Sequence, residues 1–159
     1  MAVLLEWLDR WERRLCIAAF SVLAAVLIAD VLLREITGNG LPWAHQTGVY
    51  ANLVVALFGM GLATTAGSHL RPRFADHWLP SSWQPLLLRL GFLVTALFLS
   101  LFAILASQLV METWQLGETA TVLRIPLWPL QSLIVISFAS TALRNMVFAL
   151  QPQLAPESA

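Results

Sequence analysis

Lysine is missing from this 159-residue chain, and its nine arginines are matched by nine acidic residues. A chain with no net positive charge and no basic run offers little to a nucleic-acid backbone, so nucleic acid is not expected among its partners. Cysteine occurs once, at Cys16, which excludes an intrachain disulfide and any cysteine-rich metal site. At the start of an apolar run a lone cysteine reads as a small apolar side chain. Charge of either sign is scarce, at 11% of residues against roughly 25% in ordinary soluble domains. Hydrophobic residues take its place, 58% of the chain where about 45–50% is usual, and that is the composition of an integral membrane protein.

The apolar residues fall into four runs. Positions 15–33 form the first span, with Asp30 its only charge, and match the length that crosses a hydrocarbon core of about 30 Å. The second span, 47–66, has no charge, and the third, 86–111, carries only Arg89 near its start. At about 39 Å the third is long enough to predict tilt. The fourth, 130–150, is interrupted only by Arg144 and Asn145 near its far end.

Ahead of these runs, positions 1–14 place Leu4, Leu5, Leu8 and Trp11 near one side of a helix, with Glu6, Asp9, Arg10, Glu12, Arg13 and Arg14 around the rest. That pattern predicts an amphipathic helix lying at the membrane surface. Its three acids, and an apolar run longer than an h-region of about 7–15 residues, argue against a cleaved signal peptide. The tail, 151–159, has two prolines and few apolar residues and is expected to be disordered. The fold class is therefore an all-α membrane protein of four transmembrane helices, 15–150, preceded by an interfacial helix.

Arginine placement predicts orientation. Arg10, Arg13, Arg14, Arg71, Arg73, Arg89 and Arg144 fall on one side and Arg34 and Arg124 on the other, which puts both termini and the central loop in the cytoplasm. The links 35–46 and 113–129 then face outward. Trp43, Trp114 and Trp128 stand where interfacial anchors belong.

Three groups of residues carry candidate roles. Gly59, Ala63 and Gly67 recur every fourth position and so share one face, where small side chains let a second helix come close in lipid. Behind them His69, Arg71, Arg73, Asp76 and His77 crowd a short loop bounded by Pro80, with Pro72 among them. Its arginines fix topology and suit anionic lipid headgroups. Asp30 and Arg34, four apart with the acid first, read as an interfacial ion pair. The other reading of Asp30, as a proton or sodium site, has only the general rule about intramembrane charges behind it.

Catalytic arrangements are not found. His45, His69 and His77 lie in loops or at helix ends, whereas a membrane haem needs ligands inside the bundle. A cation at His69, Asp76 and His77 would meet the repulsion of Arg71 and Arg73. No Ser-His-Asp set, phosphate-cradling glycine loop or carboxylate pair occurs at a usable spacing. No catalytic, metal or cofactor site is expected.

The stretch 67–80, with Gly67, His69, Leu70, Arg71, Leu79 and Pro80, resembles the small membrane subunit of tripartite ATP-independent periplasmic (TRAP) transporters. Two further signatures carry the resemblance: Asp30 through Arg34 followed by Gly38 and Trp43, and Gly117 and Glu118 followed by Leu123 through Trp128. The likeness covers most of the chain, from about Trp7 to Arg144, as four spans with these signatures in order. It departs from the pattern where an acidic pair usually follows the tryptophan, since these positions read Ala44, His45 and Gln46. An acid expected soon after the central-loop histidine arrives only at Asp76, behind Pro72 and Arg73.

The resemblance implies a non-catalytic scaffold in the bacterial inner membrane. It would pack beside a large multi-spanning permease that takes up an organic anion, usually with sodium, from a periplasmic binding protein. Gly59, Ala63 and Gly67 would then serve helix packing within the subunit or onto the permease. Trp43, Glu118, Arg124 and Trp128 would lie near the periplasmic docking face. Span two and the run 90–111 of span three have no charge and no pair of Gly- or Pro-broken helices is visible, so a partner must supply the pathway. Three other readings stand beside this one: the small subunit of a tripartite tricarboxylate transporter, a self-contained four-helix enzyme or haem carrier, and a homo-oligomeric transporter relying on Asp30.

Overall fold

The computed structural model of the chain describes residues 2–65 and 84–155, which form four long helices and a short C-terminal turn. Helix α1 runs Ala2–Thr37, α2 Ala44–Thr65, α3 Gln84–Leu116 and α4 Trp128–Leu150, and a 3-10 turn follows at Pro152–Leu154. All four are long and apolar enough to cross a membrane.

Local sequence sets where they stop. Gly38, at φ 75°, ends α1, its N–H donating to the Arg34 carbonyl; Gly117, at φ 64°, ends α3. There the N–H groups of Gly117 and Glu118 donate to the carbonyls of Trp114 and Thr113, the paired bonds of a Schellman cap. Pro129 sits in the first turn of α4, where its missing N–H costs nothing, and Pro152 follows the helix end.

Two expectations change. Positions 1–14 are not a separate surface helix: α1 continues unbroken through them, 36 residues or about 54 Å in all. No glycine or proline falls between Ala2 and Thr37 to break it. The tail also begins with order, because Leu154 and Ala155 fold back onto a cluster of Leu5, Val147 and Phe148 that gives them an apolar surface to cover.

The helices pack as two antiparallel hairpins. Between α1 and α2, Leu27 and Leu23 meet Gly48, Cys16 faces Val55, Glu12 reaches Gly61 and Asp9 reaches Thr65, a steady counter-running register. Between α3 and α4, Phe92 meets Phe148 and Phe102 meets Phe138, with ring centroids 5.5 and 5.8 Å apart. The hairpins join along α2 and α4, where Ser137 Oγ donates to the Leu57 carbonyl at 2.7 Å. The buried core is mostly small, with Ala44, Ala51, Ala96, Ala142 and Ala149 around Phe58, Leu99 and Phe148. Small side chains let the backbones approach closely where lipid supplies no hydrophobic drive between helices. The outer faces of α1 and α3 are apolar: Ile17, Phe20, Ile28, Val94, Phe98 and Ile104 are all more than half exposed.

Candidate functional site

The inward face of α1 carries charge. Leu5, Asp9, Glu12, Cys16, Ala19, Leu23, Val26 and Asp30 follow one another at alternating spacings of four and three, and all are buried or half-buried. The facing stripe of α2, with Ala44, Gly48, Ala51, Val55 and Phe58, has the same spacing. Glu12 therefore points into the bundle, where its carboxylate is 4% exposed and the Arg144 guanidinium of α4 is fully buried.

These two groups form a crossing of three helices. Arg144 Nη2 donates to Glu12 Oε2 at 2.8 Å, and Arg144 Nη1 donates to the Gly61 carbonyl of α2. Ser140 Oγ, one turn earlier on α4, donates to Glu12 Oε1 at 2.9 Å, so both carboxylate oxygens are used. The approach depends on Gly61, because a β-carbon there would lie 2.7 Å from Glu12 Oε2 and 3.0 Å from Arg144 Nη1. Arg144 stands about 24 Å along α4 from Trp128, nearer the end of the helix that carries the chain termini. Arg144 Nε, Thr141 Oγ1 and Asn145 Oδ1 are buried with no hydrogen-bond partner among the described residues.

The opposite end of the molecule is held by two clamps. Asp30 accepts from Arg34 at 2.8 Å and from the Leu41 N–H at 2.5 Å, tying the 38–43 link back onto α1. Gly40 makes room for it, since a β-carbon there would fall 2.6 Å from Asp30 Oδ1. Gln46 Oε1 accepts from the N–H groups of Val122 and Leu123, and its Nε2 donates to Tyr50. The second link is a small hairpin, with the Ala120 N–H donating to Ile125 and the Leu127 N–H to Glu118. Arg124 turns it at φ 51°, a left-handed position that an arginine adopts at a cost.

The expected site residues divide as follows. Asp30 and Arg34 pair across one helical turn, and Asp30 has the further bond to Leu41. Trp43, Glu118, Arg124 and Trp128 stand in or beside the two clamped links, at one end of the bundle and all exposed. Gly59 is not at a helix contact among the described residues, because a β-carbon on it would have none of them within 4 Å; Gly48 and Gly61 hold the close approaches instead. Ala63 is half-buried. Gly67, His69, Arg71, Arg73, Asp76 and His77 lie outside the described residues.

Sequence reasoning passed over Glu12 and Arg144. Their signal was Arg144 and Asn145 inside an apolar span, the kind of intramembrane charge that calls for a partner.

Such a molecule is a multi-pass helical membrane protein, its described interior given to helix packing and to the Glu12–Arg144 pair. Within that class, the family of tripartite ATP-independent periplasmic transporters, DctQ component, matches residues 23–153, and the chain belongs to it. It is a small membrane component of a TRAP transporter, and not an enzyme. Comparison with curated proteins finds no match.

Proposed function

We propose that this subunit is the fixed scaffold of a TRAP-type secondary transporter in the bacterial inner membrane. It packs beside the large multi-spanning permease and supports ion-coupled uptake of an organic carboxylate delivered by a periplasmic binding protein. The observation that carries the reading is an interior without a pathway: among the described residues, its ionised core groups are Glu12 and Arg144, bound to each other. Both termini face the cytoplasm. Arg144 is neutralised by Glu12, yet six arginines on that side still outnumber Arg34 and Arg124 on the other. Purification of a tagged copy from its host in mild detergent should bring a stoichiometric permease with it. Recovery of the chain alone as a homo-oligomer would overturn the reading.

The permease meets the outward face of α2. Val49, Asn52 and Ala56 are exposed there, and Gly59 and Ala63 continue the same stripe at helical spacing. An amide such as Asn52 gains from a partner in lipid, and small side chains let that partner approach. Gly59→Leu is expected to leave the isolated subunit unchanged, because a side chain there starts in open space, while sharply reducing recovery of the complex. Size-exclusion profiles of subunit and complex would check both halves.

The clamped links receive the binding protein. Gly38 and Gly117 supply the left-handed positions of the two links at little cost, whereas Arg124 fills a third with a charged side chain. Keeping arginine where glycine fits more easily supports a task for that side chain. Arg124→Gly should preserve the fold and the permease contact and weaken capture of the binding protein about tenfold, as loss of one charge-assisted contact would. Affinity in lipid nanodiscs measures this; unchanged affinity would remove Arg124 from the docking face.

A further inference from the structure

We infer that the Glu12–Arg144 pair is a register key: it fixes the height and rotation of α1 against α2 and α4, a task separate from stabilising the bundle. Glu12 lies before the residues matched by the family, 23–153, so family membership does not speak for it.

The need for a key follows from the packing. The facing stripes of α1 and α2 repeat every seven residues; between the Asp9–Thr65 bond at one end and the Asp30–Leu41 bond at the other, their contacts apart from Glu12 and Cys16 are largely alanine, glycine, leucine and valine. A seven-residue repeat of that kind is nearly satisfied after a slide to the next repeat, and a buried polar group is what selects one register in such pairs. α1 and α4 have no extensive packing of their own; they meet at Leu5 beside Val147 and Phe148, and at Glu12. The guanidinium fork is directional, one arm on the Gly61 carbonyl and the other on the Glu12 carboxylate, so it holds both neighbours at once. A slide of α1 by one residue would move Glu12 about 1.5 Å along the axis and turn it about 100°, out of reach of both donors.

The crossing is also costly in ways a stabilising contact would avoid. Two charges are withdrawn from solvent, and Arg144 Nε, Thr141 Oγ1 and Asn145 Oδ1 are left without partners among the described residues. Well-packed apolar residues commonly replace such a pair with no loss of stability, and in some helix pairs the polar group is what selects the register. The register also sets the end of the bundle beyond the crossing. There Asp9 accepts from Thr65 at 2.9 Å, and Leu5, Asp9, Arg13, Leu62, Phe148 and Leu154 line a groove.

The test separates register from stability. In a Cys16→Ala background, spin labels are placed at Trp7→Cys on α1 and Leu143→Cys on α4, both exposed, and the full chain is studied in lipid nanodiscs. Two apolar replacements of the pair are compared with the native one, Glu12→Leu with Arg144→Met and Glu12→Leu with Arg144→Leu. The expected result is an unchanged or higher unfolding temperature in at least one of them. Its label-to-label distance distribution should be about twice as wide or split into several peaks. A distribution as narrow as the native one would overturn the inference. So would failure of both replacements to fold, because the pair would then be acting through stability. Neither outcome depends on the transported substrate or on the permease, so the scaffold reading stands or falls separately.

Discussion

Glu12→Ala is expected to abolish recovery of the folded subunit, and to be more damaging than Arg144→Ala, although both delete the same ion pair. Removing one partner of a buried pair costs about 3–5 kcal/mol, comparable to the whole stability of a marginal domain. The order of the two follows from what each deletion strands. Arg144→Ala leaves a carboxylate still accepting from Ser140, and a carboxylic acid can become neutral by taking up a proton. Glu12→Ala leaves a guanidinium with only the Gly61 carbonyl, fully buried, and a guanidinium stays charged at any working pH. Yield from mild detergent and the unfolding temperature of what is recovered would rank the two. The reverse order would mean that the Arg144 cation finds another acceptor or reaches solvent, and that the crossing holds the helices less firmly than its geometry implies.

The contrast between Asp30 and Glu12 explains what the amino-acid sequence could convey. Asp30 and Arg34 are four residues apart on one helix, so their pairing follows from helical geometry alone, and the structure has it. The partner of Glu12 is 132 residues away on another helix, and nothing local points to it. Composition near the N-terminus also misdirects. With Glu6, Asp9, Arg10, Arg13 and Arg14 around it, Glu12 reads as one more solvated charge, and the apolar Leu8 and Trp11 claim the buried side. The inward face is instead the seven-residue repeat through Leu5, Glu12, Ala19 and Val26, while Trp7 and Trp11 turn outward with ring centroids 5.8 Å apart. Only the full length of α1 reveals that repeat, and dividing the helix at residue 14 conceals it. The four spans were legible because apolar runs of about twenty residues with at most one charge have few alternatives. The mutual arrangement of the spans was not, because lipid-facing and partner-facing leucines look alike in sequence.

Gly61→Val is expected to destroy the subunit in isolation, whereas Gly59→Val, two residues earlier, should leave it unchanged. The two glycines sit in the same helix on either side of Met60, so helix propensity contributes about equally to both changes. What differs is the space around them. A β-carbon at Gly59 meets none of the described residues within 4 Å, while at Gly61 it would be forced to 2.7 Å from Glu12 Oε2 and 3.2 Å from its carboxyl carbon. A flexible surface side chain could swing away, but Glu12 is held through both oxygens and Arg144 through two of its nitrogens, so relief requires the ion pair to open. The cost combines about 1–3 kcal/mol of overpacking with much of the penalty for separating buried charges. Unfolding temperatures of the two variants in the same detergent measure the difference directly. If Gly61→Val were tolerated as well as Gly59→Val, α2 would have to stand farther from the crossing than its hydrogen bond to Arg144 requires. The register key would then act through α1 and α4 alone, and the small-residue face of α2 toward α1 would be free to vary without loss of the fold.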